Sequence, residues 1–220
     1  MAAMKKRVGI LISGRGSNMV SLIAAAQARD YPAEIACVLS NRPEAEGLKK
    51  AEAEGVPTRA IDHKAFSGRE AFEAELDTAL KSFNVDLVAG AGFRRLMTPE
   101  FVKRWRDKMV NIHPSLLPAF KGLDTHARAL AAGVKLTGCT VHIVRPQMDD
   151  GPIIAQAAVP VLEADTPDTL AARVLQAEHE LYPHALALFA SGTVHVDGGR
   201  VLGARASAKP PGPLVWPPST

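Results

Sequence analysis

In the first half of the chain, short runs of apolar residues and glycine alternate with longer segments of helical periodicity. Val8–Ile12, Ile35–Leu39 and Asp86–Ala91 are such runs, and their lack of polar alternation predicts strands buried on both faces. Pro57–Ile61 and Met109–Ile112 are predicted as further strands. Strands joined by helices in this order predict an α/β domain with a doubly wound, mostly parallel sheet. The predicted helices are Ser17–Arg29, Ala45–Glu54, Gly68–Phe83, Pro99–Arg106 and Thr125–Ala132.

The second half of the chain follows a different pattern. Gly138–Val144 and Ile153–Val161 read as two strands joined by a short polar turn, which predicts antiparallel pairing. Thr166 and Pro167 open a long helix that runs to about Ala190, with Pro183 as a kink. Asp197-Gly198-Gly199 marks a hairpin turn. We therefore expect a single domain over residues 1–205 and an unstructured proline-rich tail over residues 206–220.

The composition narrows the classes of partner and compartment. A chain of 220 residues with a net charge of +3 suits one domain, and the charge is too small for a nucleic-acid binder although it suits an anionic small molecule. The two cysteines argue against a disulfide scaffold. The sequence shows no signal-type segment and no apolar run long enough for a membrane span. We expect a soluble cytoplasmic protein.

A glycine-rich loop, Ser13–Asn18, joins the first predicted strand to the first predicted helix. Its two glycines let the backbone approach an anion, and the helix amides and dipole favour a phosphate. The dinucleotide-binding fingerprint would place glycine or alanine where Met19 stands, and the acid that it requires is missing from Leu39–Asn41. The loop also lacks the Gly-Lys-Ser/Thr of a P-loop. A single phosphomonoester is favoured, and a tight turn without ligand is the alternative.

Asn111 and His113 are two residues apart at the end of a predicted strand, so their side chains point to the same side. The prolines that follow stiffen the segment, and Asp149 or Asp150 offers a carboxylate from a later turn. The chain has no nucleophile elbow and no metal-binding motif. Asn, protonated His and Asp suit direct acyl transfer, with the first two stabilising an oxyanion and the acid helping to move a proton. A structural histidine is the alternative.

Taken together, these segments resemble the phosphoribosylglycinamide formyltransferases, a folate-dependent family of purine synthesis. The resemblance runs in family order from about Arg7 to Gly203. It implies a formyltransferase-like, Rossmann-related fold, with a phosphate-binding half over about residues 1–100 and a folate-binding and catalytic half over 101–205. The matching segments are Leu11–Asn18, Ala91–Leu96, Asn111–Pro118, Gly138–His142 and Asp149–Pro152, with Gly122–His126 resembling a further stretch.

The resemblance also implies an activity, which is transfer of the formyl group of 10-formyltetrahydrofolate to the amine of glycinamide ribonucleotide. It implies no metal, no tightly bound cofactor, no nucleic-acid or membrane partner, and a monomer or homodimer. The catalytic positions are then Asn111, His113 and Asp149. The ribonucleotide positions are Gly16, Ser17, Asn18 and Glu178, and the folate positions are Arg69, Arg94, Arg95, Leu96, Met97 and Asn111.

Two residues depart from the family pattern. Arg94 stands where an apolar residue, often Met, is expected, and Asp150 stands where a second glycine is common, which leaves the choice between Asp149 and Asp150 open.

The rival interpretations of the function are a formyltetrahydrofolate hydrolase, another formyltransferase and a non-catalytic nucleotide-binding module. Ordinary structural roles are the alternative for the remaining candidates: a solvated charge for Glu178, core packing for Phe93, Leu96 and Met97, hydrogen bonding for His126 and His142, and a surface or capping position for His63, His179, His184 and His195.

Overall fold

The computed structural model describes residues 4–203 and residue 216, and a seven-stranded sheet forms its centre. Its strands are β1 (Lys6–Ile12), β2 (Ala33–Ser40), β3 (Thr58–Ala60), β4 (Leu87–Gly90), β5 (Met109–His113), β6 (Leu136–Ile143) and β7 (Ile153–Pro160), with β8 (His195–Asp197) and β9 (Arg200–Leu202) forming a separate hairpin. The seven strands lie in the order β3-β2-β1-β4-β5-β6-β7. Strands β1 to β5 pair in parallel, whereas β6 runs antiparallel to both β5 and β7.

Helices cover both faces of the sheet, which explains why the central strands are apolar throughout. The side chains of Val8, Ile10, Leu11 and Ile12 in β1 are all fully buried, as expected for a strand with helices on both sides. The helices are α1 (Ser17–Ala26), α2 (Glu46–Ala53), α3 (Arg69–Ser82), α4 (Pro99–Arg104), α5 (Thr125–Ala131) and α6 (Pro167–Ala190). One core cluster packs the sheet against α1, α2 and α6, and a second packs it against α3 and α4.

The long helix α6 begins as its sequence predicts. The Thr166 hydroxyl accepts a hydrogen bond from the Thr169 backbone N–H, and the Thr169 side chain accepts one from the Thr166 N–H, which is a reciprocal cap of the first helical turn. Pro183 lies inside this 24-residue helix. The neighbouring Tyr182 is fully buried, and its hydroxyl donates to the Gly90 carbonyl at 2.9 Å. Helix α6 is thereby tied to the end of β4.

The structure confirms the predicted fold class, namely a mostly parallel sheet with antiparallel C-terminal strands and a long C-terminal helix. The first helix ends at Ala26 rather than at Arg29. In the described part of the chain, no helix is both long enough and apolar enough to cross a membrane. The predicted tail, residues 206–220, lies outside the described residues except for Trp216.

Candidate active site

The polar segments singled out in the sequence follow strands that end at one edge of the sheet. Leu11 of β1 pairs with Gly90 of β4, and Gly90 pairs with Asn111 of β5. Because these strands are parallel, the loops that follow them leave from the same edge, which is where α/β sheets bind ligands. The glycine loop, the segment after β4 and the Asn111–His113 pair therefore lie together at this edge of the sheet.

The His113 imidazole is buried and contacts an acceptor at each ring nitrogen. Its Nδ1 lies 3.3 Å from Asp149 Oδ2, and its Nε2 lies 3.0 Å from the Phe120 carbonyl oxygen. Carboxylate and carbonyl oxygens only accept hydrogen bonds, so a doubly protonated imidazolium satisfies both contacts. Phe120 has a positive φ of 53°, which is uncommon for a large side chain. Nothing in the sequence pattern marks Phe120, because its role comes from a backbone atom.

The geometry separates the two candidate acids. Asp149 has a φ of 51°, and its carboxylate points inward, where it contacts His113 and accepts a hydrogen bond from the Gly122 N–H at 2.9 Å. The Asp150 side chain is 55% exposed and pairs with Lys121. Gly151 follows without room for a side chain, since a Cβ there would lie 1.6 Å from the Ile143 carbonyl oxygen. The turn therefore directs Asp149 at His113 although aspartate, not glycine, stands at position 150.

His142 and His126 add two imidazoles near this pair. His142 pairs with Asn111 across β5 and β6, and its Nε2 lies 3.8 Å from Asp149 Oδ1. Burial lowers the pKa of His142, and burial together with the charge of His113 lowers the pKa of His126. His142 Nδ1 lies 3.1 Å from the Ile143 carbonyl oxygen, as the structural alternative expects, whereas His142 Nε2 and His126 Nδ1 are buried without a hydrogen-bond partner in the described part of the chain. The antiparallel register that places His142 opposite Asn111 could not be read from spacing alone.

Asn111 is half-buried, and its amide lies against the end of β4. A Cβ on Gly90 would approach Asn111 Oδ1 to 2.7 Å. The glycine at position 90 thus leaves the space that the Asn111 amide occupies.

The backbone of the glycine loop turns at Gly16. Gly16 takes a left-handed conformation (φ 67°, ψ 33°) directly before α1, and glycine adopts this conformation without strain. A Cβ on Gly16 would lie 3.2 Å from the Gly47 Cα, and the Gly47 N–H donates to the Gly14 carbonyl at 3.0 Å. The sequence did not indicate Gly47, because this residue contacts the loop from α2, which is distant from the loop along the chain.

Asn18 and Glu178, both predicted to bind the ribonucleotide, are in direct contact. The Asn18 Nδ2 donates to Glu178 Oε2 at 2.7 Å, and the two residues are 8% and 7% exposed. Burial raises the pKa of Glu178, and the hydrogen bond from Asn18 lowers it. The Asn18 Oδ1 is buried without a hydrogen-bond partner in the described part of the chain. Because Glu178 is buried, its alternative interpretation as a solvated helix charge is wrong.

The predicted folate residues lie on and beside the segment after β4. Arg94 is exposed, and Leu96 is 59% exposed, so the alternative interpretation of Leu96 as core is wrong. Met97 is half-buried, as is Phe93, and both pack against the core under α3 and α4. The Arg95 guanidinium lies 5.3 Å from the centre of the Phe72 ring. Arg69 is exposed at the first position of α3, one turn before Phe72.

The remaining histidines differ in exposure. His184 and His195 are exposed, in agreement with their predicted surface positions. His63 is half-buried, and its Nδ1 lies 2.8 Å from the Asn41 carbonyl oxygen. His179 is half-buried with an enclosed Nε2. Among residues 4–203 and 216, no three His, Cys, Asp or Glu side chains are grouped so that they could hold a metal ion.

The chain is similar to known proteins over most of its length. Residues 6–186 match the formyl transferase family. The chain is 49% identical over 198 residues to the trifunctional purine biosynthetic protein adenosine-3 of Gallus gallus, and the match covers 90% of this chain but 20% of that protein. The chain thus spans about a fifth of the length of that relative. It is 40% identical over 183 residues to the phosphoribosylglycinamide formyltransferase of Escherichia coli (strain K12), covering 83% of this chain and 86% of the relative.

Solved structures show the same relationship. The phosphoribosylglycinamide formyltransferase of Brucella melitensis is 55% identical, with a TM-score of 0.82 over 86% of this chain and 97% of that one. A formyltetrahydrofolate deformylase of Pseudomonas syringae is 26% identical, with a TM-score of 0.84 over 92% of this chain and 67% of that one. The family match over most of the chain and these relatives confirm the resemblance found in the sequence: the chain belongs to the formyl transferase family.

Proposed function

We propose that this protein transfers the formyl group of 10-formyltetrahydrofolate to the amine of N1-(5-phosphoribosyl)glycinamide. The observation that carries the proposal is the buried His113–Asp149 pair, 3.3 Å apart, on the strand that also carries Asn111. This pair lies at the same edge of the sheet as the glycine loop and the segment after β4. Transfer between a phosphorylated amine and a folate requires a catalytic group, a site for the phosphate and a site for the folate, and we assign these to the pair, to the glycine loop and to the segment after β4.

The reaction follows from the groups at this edge of the sheet. The glycinamide nitrogen attacks the formyl carbon, and the carbonyl oxygen becomes an oxyanion. We assign the Asn111 amide and a His113 N–H as donors to that oxygen. Because His113 Nε2 contacts the Phe120 carbonyl, donation to the substrate requires this hydrogen bond to be shared or exchanged.

Collapse of the intermediate breaks the bond from the formyl carbon to N10 of the folate. The attacking nitrogen must lose a proton and N10 must gain one, and Asp149 beside His113 is the group that we assign to this transfer. Formyl passes directly between the two substrates, so no covalent intermediate forms on the protein. Tetrahydrofolate and the formylated ribonucleotide are the products.

The ribonucleotide phosphate is assigned to the loop around Gly16, Ser17 and Asn18 at the start of α1. The left-handed Gly16 and the exposed amides of a helix N-terminus favour a phosphate there. The buried Asn18 Oδ1 and the Glu178 carboxylate offer acceptors for the sugar hydroxyls or the glycinamide N–H groups. Folate is assigned to the segment Arg94–Met97, with Arg69 from α3. We also propose that the protein acts in the cytoplasm as a monomer or homodimer.

The test is release of tetrahydrofolate from 10-formyltetrahydrofolate with and without the ribonucleotide. We expect release only when the ribonucleotide is present, together with formylated ribonucleotide in equal amount. Release without an amine would instead identify hydrolysis, the second candidate, which the structural likeness to a deformylase favours. No release in either case would contradict both activities.

Replacing Glu178 by glutamine should weaken binding of the ribonucleotide. The substitution keeps the size of the side chain and leaves one oxygen to accept from Asn18, but it removes a carboxylate acceptor that we assign to the substrate. A hydrogen bond to a charged group contributes about 1.5–3 kcal/mol, or roughly 10- to 150-fold in affinity. We expect KM for the ribonucleotide to rise at least about tenfold while KM for the folate changes little. Glu180→Gln, at an exposed position on the same helix, is the control. If the two variants have the same KM for the ribonucleotide, Glu178 has only a structural role.

A further inference from the structure

The segment Arg94–Thr98 is held at each end by a buried side chain from another element. The Arg94 N–H donates to Ser13 Oγ at 2.8 Å. At the other end, the Thr98 N–H donates to Glu73 Oε1 at 2.8 Å, and the Thr98 hydroxyl donates to the second oxygen of the same carboxylate. Both anchoring residues, Ser13 and Glu73, are 3% exposed, whereas Leu96 between them is 59% exposed. The two ends of the segment are therefore fixed by hydrogen bonds, and its middle is exposed.

Ser13 also connects this segment to the glycine loop. Its hydroxyl accepts from Arg94 and donates to Asn41 Oδ1 at 2.6 Å, and Asn41 is 3% exposed. Ser13 itself directly follows β1 and opens the loop assigned to the phosphate. Removing the hydroxyl leaves a backbone donor and a buried amide oxygen without this partner, which costs more than the loss of an exposed hydrogen bond. One hydroxyl thus joins the two segments to which we assign the two substrates.

Glu73 is the more unusual of the two anchors. A carboxylate on the buried face of α3 is costly unless its oxygens are hydrogen-bonded, and here both oxygens contact Thr98. Thr98 also caps α4, since its side chain accepts from the Phe101 N–H at 3.3 Å. The Glu73–Thr98 contact therefore fixes the point at which the segment turns into a helix.

We propose that Ser13 and Glu73 are positioning residues for the folate co-substrate. They hold the backbone of Arg94–Thr98 in one conformation before the substrate arrives, so that binding does not have to order this segment. The identity of the co-substrate in this inference rests on the proposed function, whereas the hydrogen bonds that hold the segment do not depend on it. Neither side chain needs to touch the folate.

Two readouts test the proposal separately. In Ser13→Ala and Glu73→Gln, we expect KM for 10-formyltetrahydrofolate to rise about 2- to 10-fold, the effect of losing one hydrogen bond. In Glu73→Gln, KM for the ribonucleotide and kcat should stay within about twofold of wild type, since the substitution lies away from the glycine loop. Hydrogen–deuterium exchange of the substrate-free protein should show faster exchange at the amides of residues 94–98 in both variants.

The matched control is Glu75→Gln, two residues from Glu73 on the same helix. The Glu75 carboxylate pairs with Arg59 at 2.6 Å at the surface, so this variant should leave both readouts unchanged. Unchanged exchange at residues 94–98 in Ser13→Ala would overturn the proposal, as would an equal rise of both KM values in Glu73→Gln. If the wild type releases no tetrahydrofolate, the proposed function fails, and the exchange experiment still decides whether the two residues hold the segment.

Discussion

Replacing His113 or Asn111 by alanine should lower kcat by about 10²–10³-fold, the usual effect of removing one donor to an oxyanion. Both residues lie on β5, and we assign both to the oxygen of the tetrahedral intermediate. Neither belongs to the loop assigned to the phosphate. Binding of the ribonucleotide, measured by titration calorimetry, should therefore stay close to the wild-type affinity.

Folding has to be checked in the same variants because His113 is buried. His184→Ala, at an exposed position on α6, is the control and should retain full turnover. Thermal unfolding of each variant shows whether the site has been lost through a change in stability. Wild-type turnover in both His113→Ala and Asn111→Ala would remove these residues from the mechanism.

The fold could be predicted largely from the sequence because its main signals are local. The apolar runs of β1, β2 and β4 lack alternation since helices cover both faces of the sheet. The start of α6 is similarly local, because Thr166 and Pro167 cap and open the helix by themselves. The end of α1 was predicted three residues too late, as helix ends depend on contacts that periodicity does not report.

The candidate site could be predicted where a short motif indicates both a residue and the side of the strand on which its side chain lies. Asn111 and His113 share a side of one strand, so their common orientation followed from their spacing. Contacts between distant segments were not predictable in this way. The Asn18–Glu178 hydrogen bond joins residues 160 positions apart, and only the family resemblance indicated Glu178. The sequence placed Ser13 in the glycine loop but did not indicate its contact with the Arg94 backbone amide, and it did not indicate Glu73, whose partner Thr98 lies outside any motif.

Asp149→Asn should be as damaging as loss of His113, whereas Asp150→Asn should be mild. Asparagine keeps the shape of Asp149 but replaces the charge that lies 3.3 Å from His113 Nδ1, so the imidazolium loses its partner and the proton its acceptor. We expect kcat to fall at least about 10²-fold, with KM for the ribonucleotide nearly unchanged.

The comparison with Asp150→Asn makes this test specific, because the neighbouring carboxylate is exposed and paired with Lys121. An exposed pair of this kind contributes little, about 0–1 kcal/mol, so turnover of Asp150→Asn should remain within about twofold of wild type. Both variants remove one negative charge from the same turn, and any effect of net charge alone would appear in both. A mild effect at Asp149 with a severe one at Asp150 would mean that the turn rearranges on substrate binding and presents the other acid to His113.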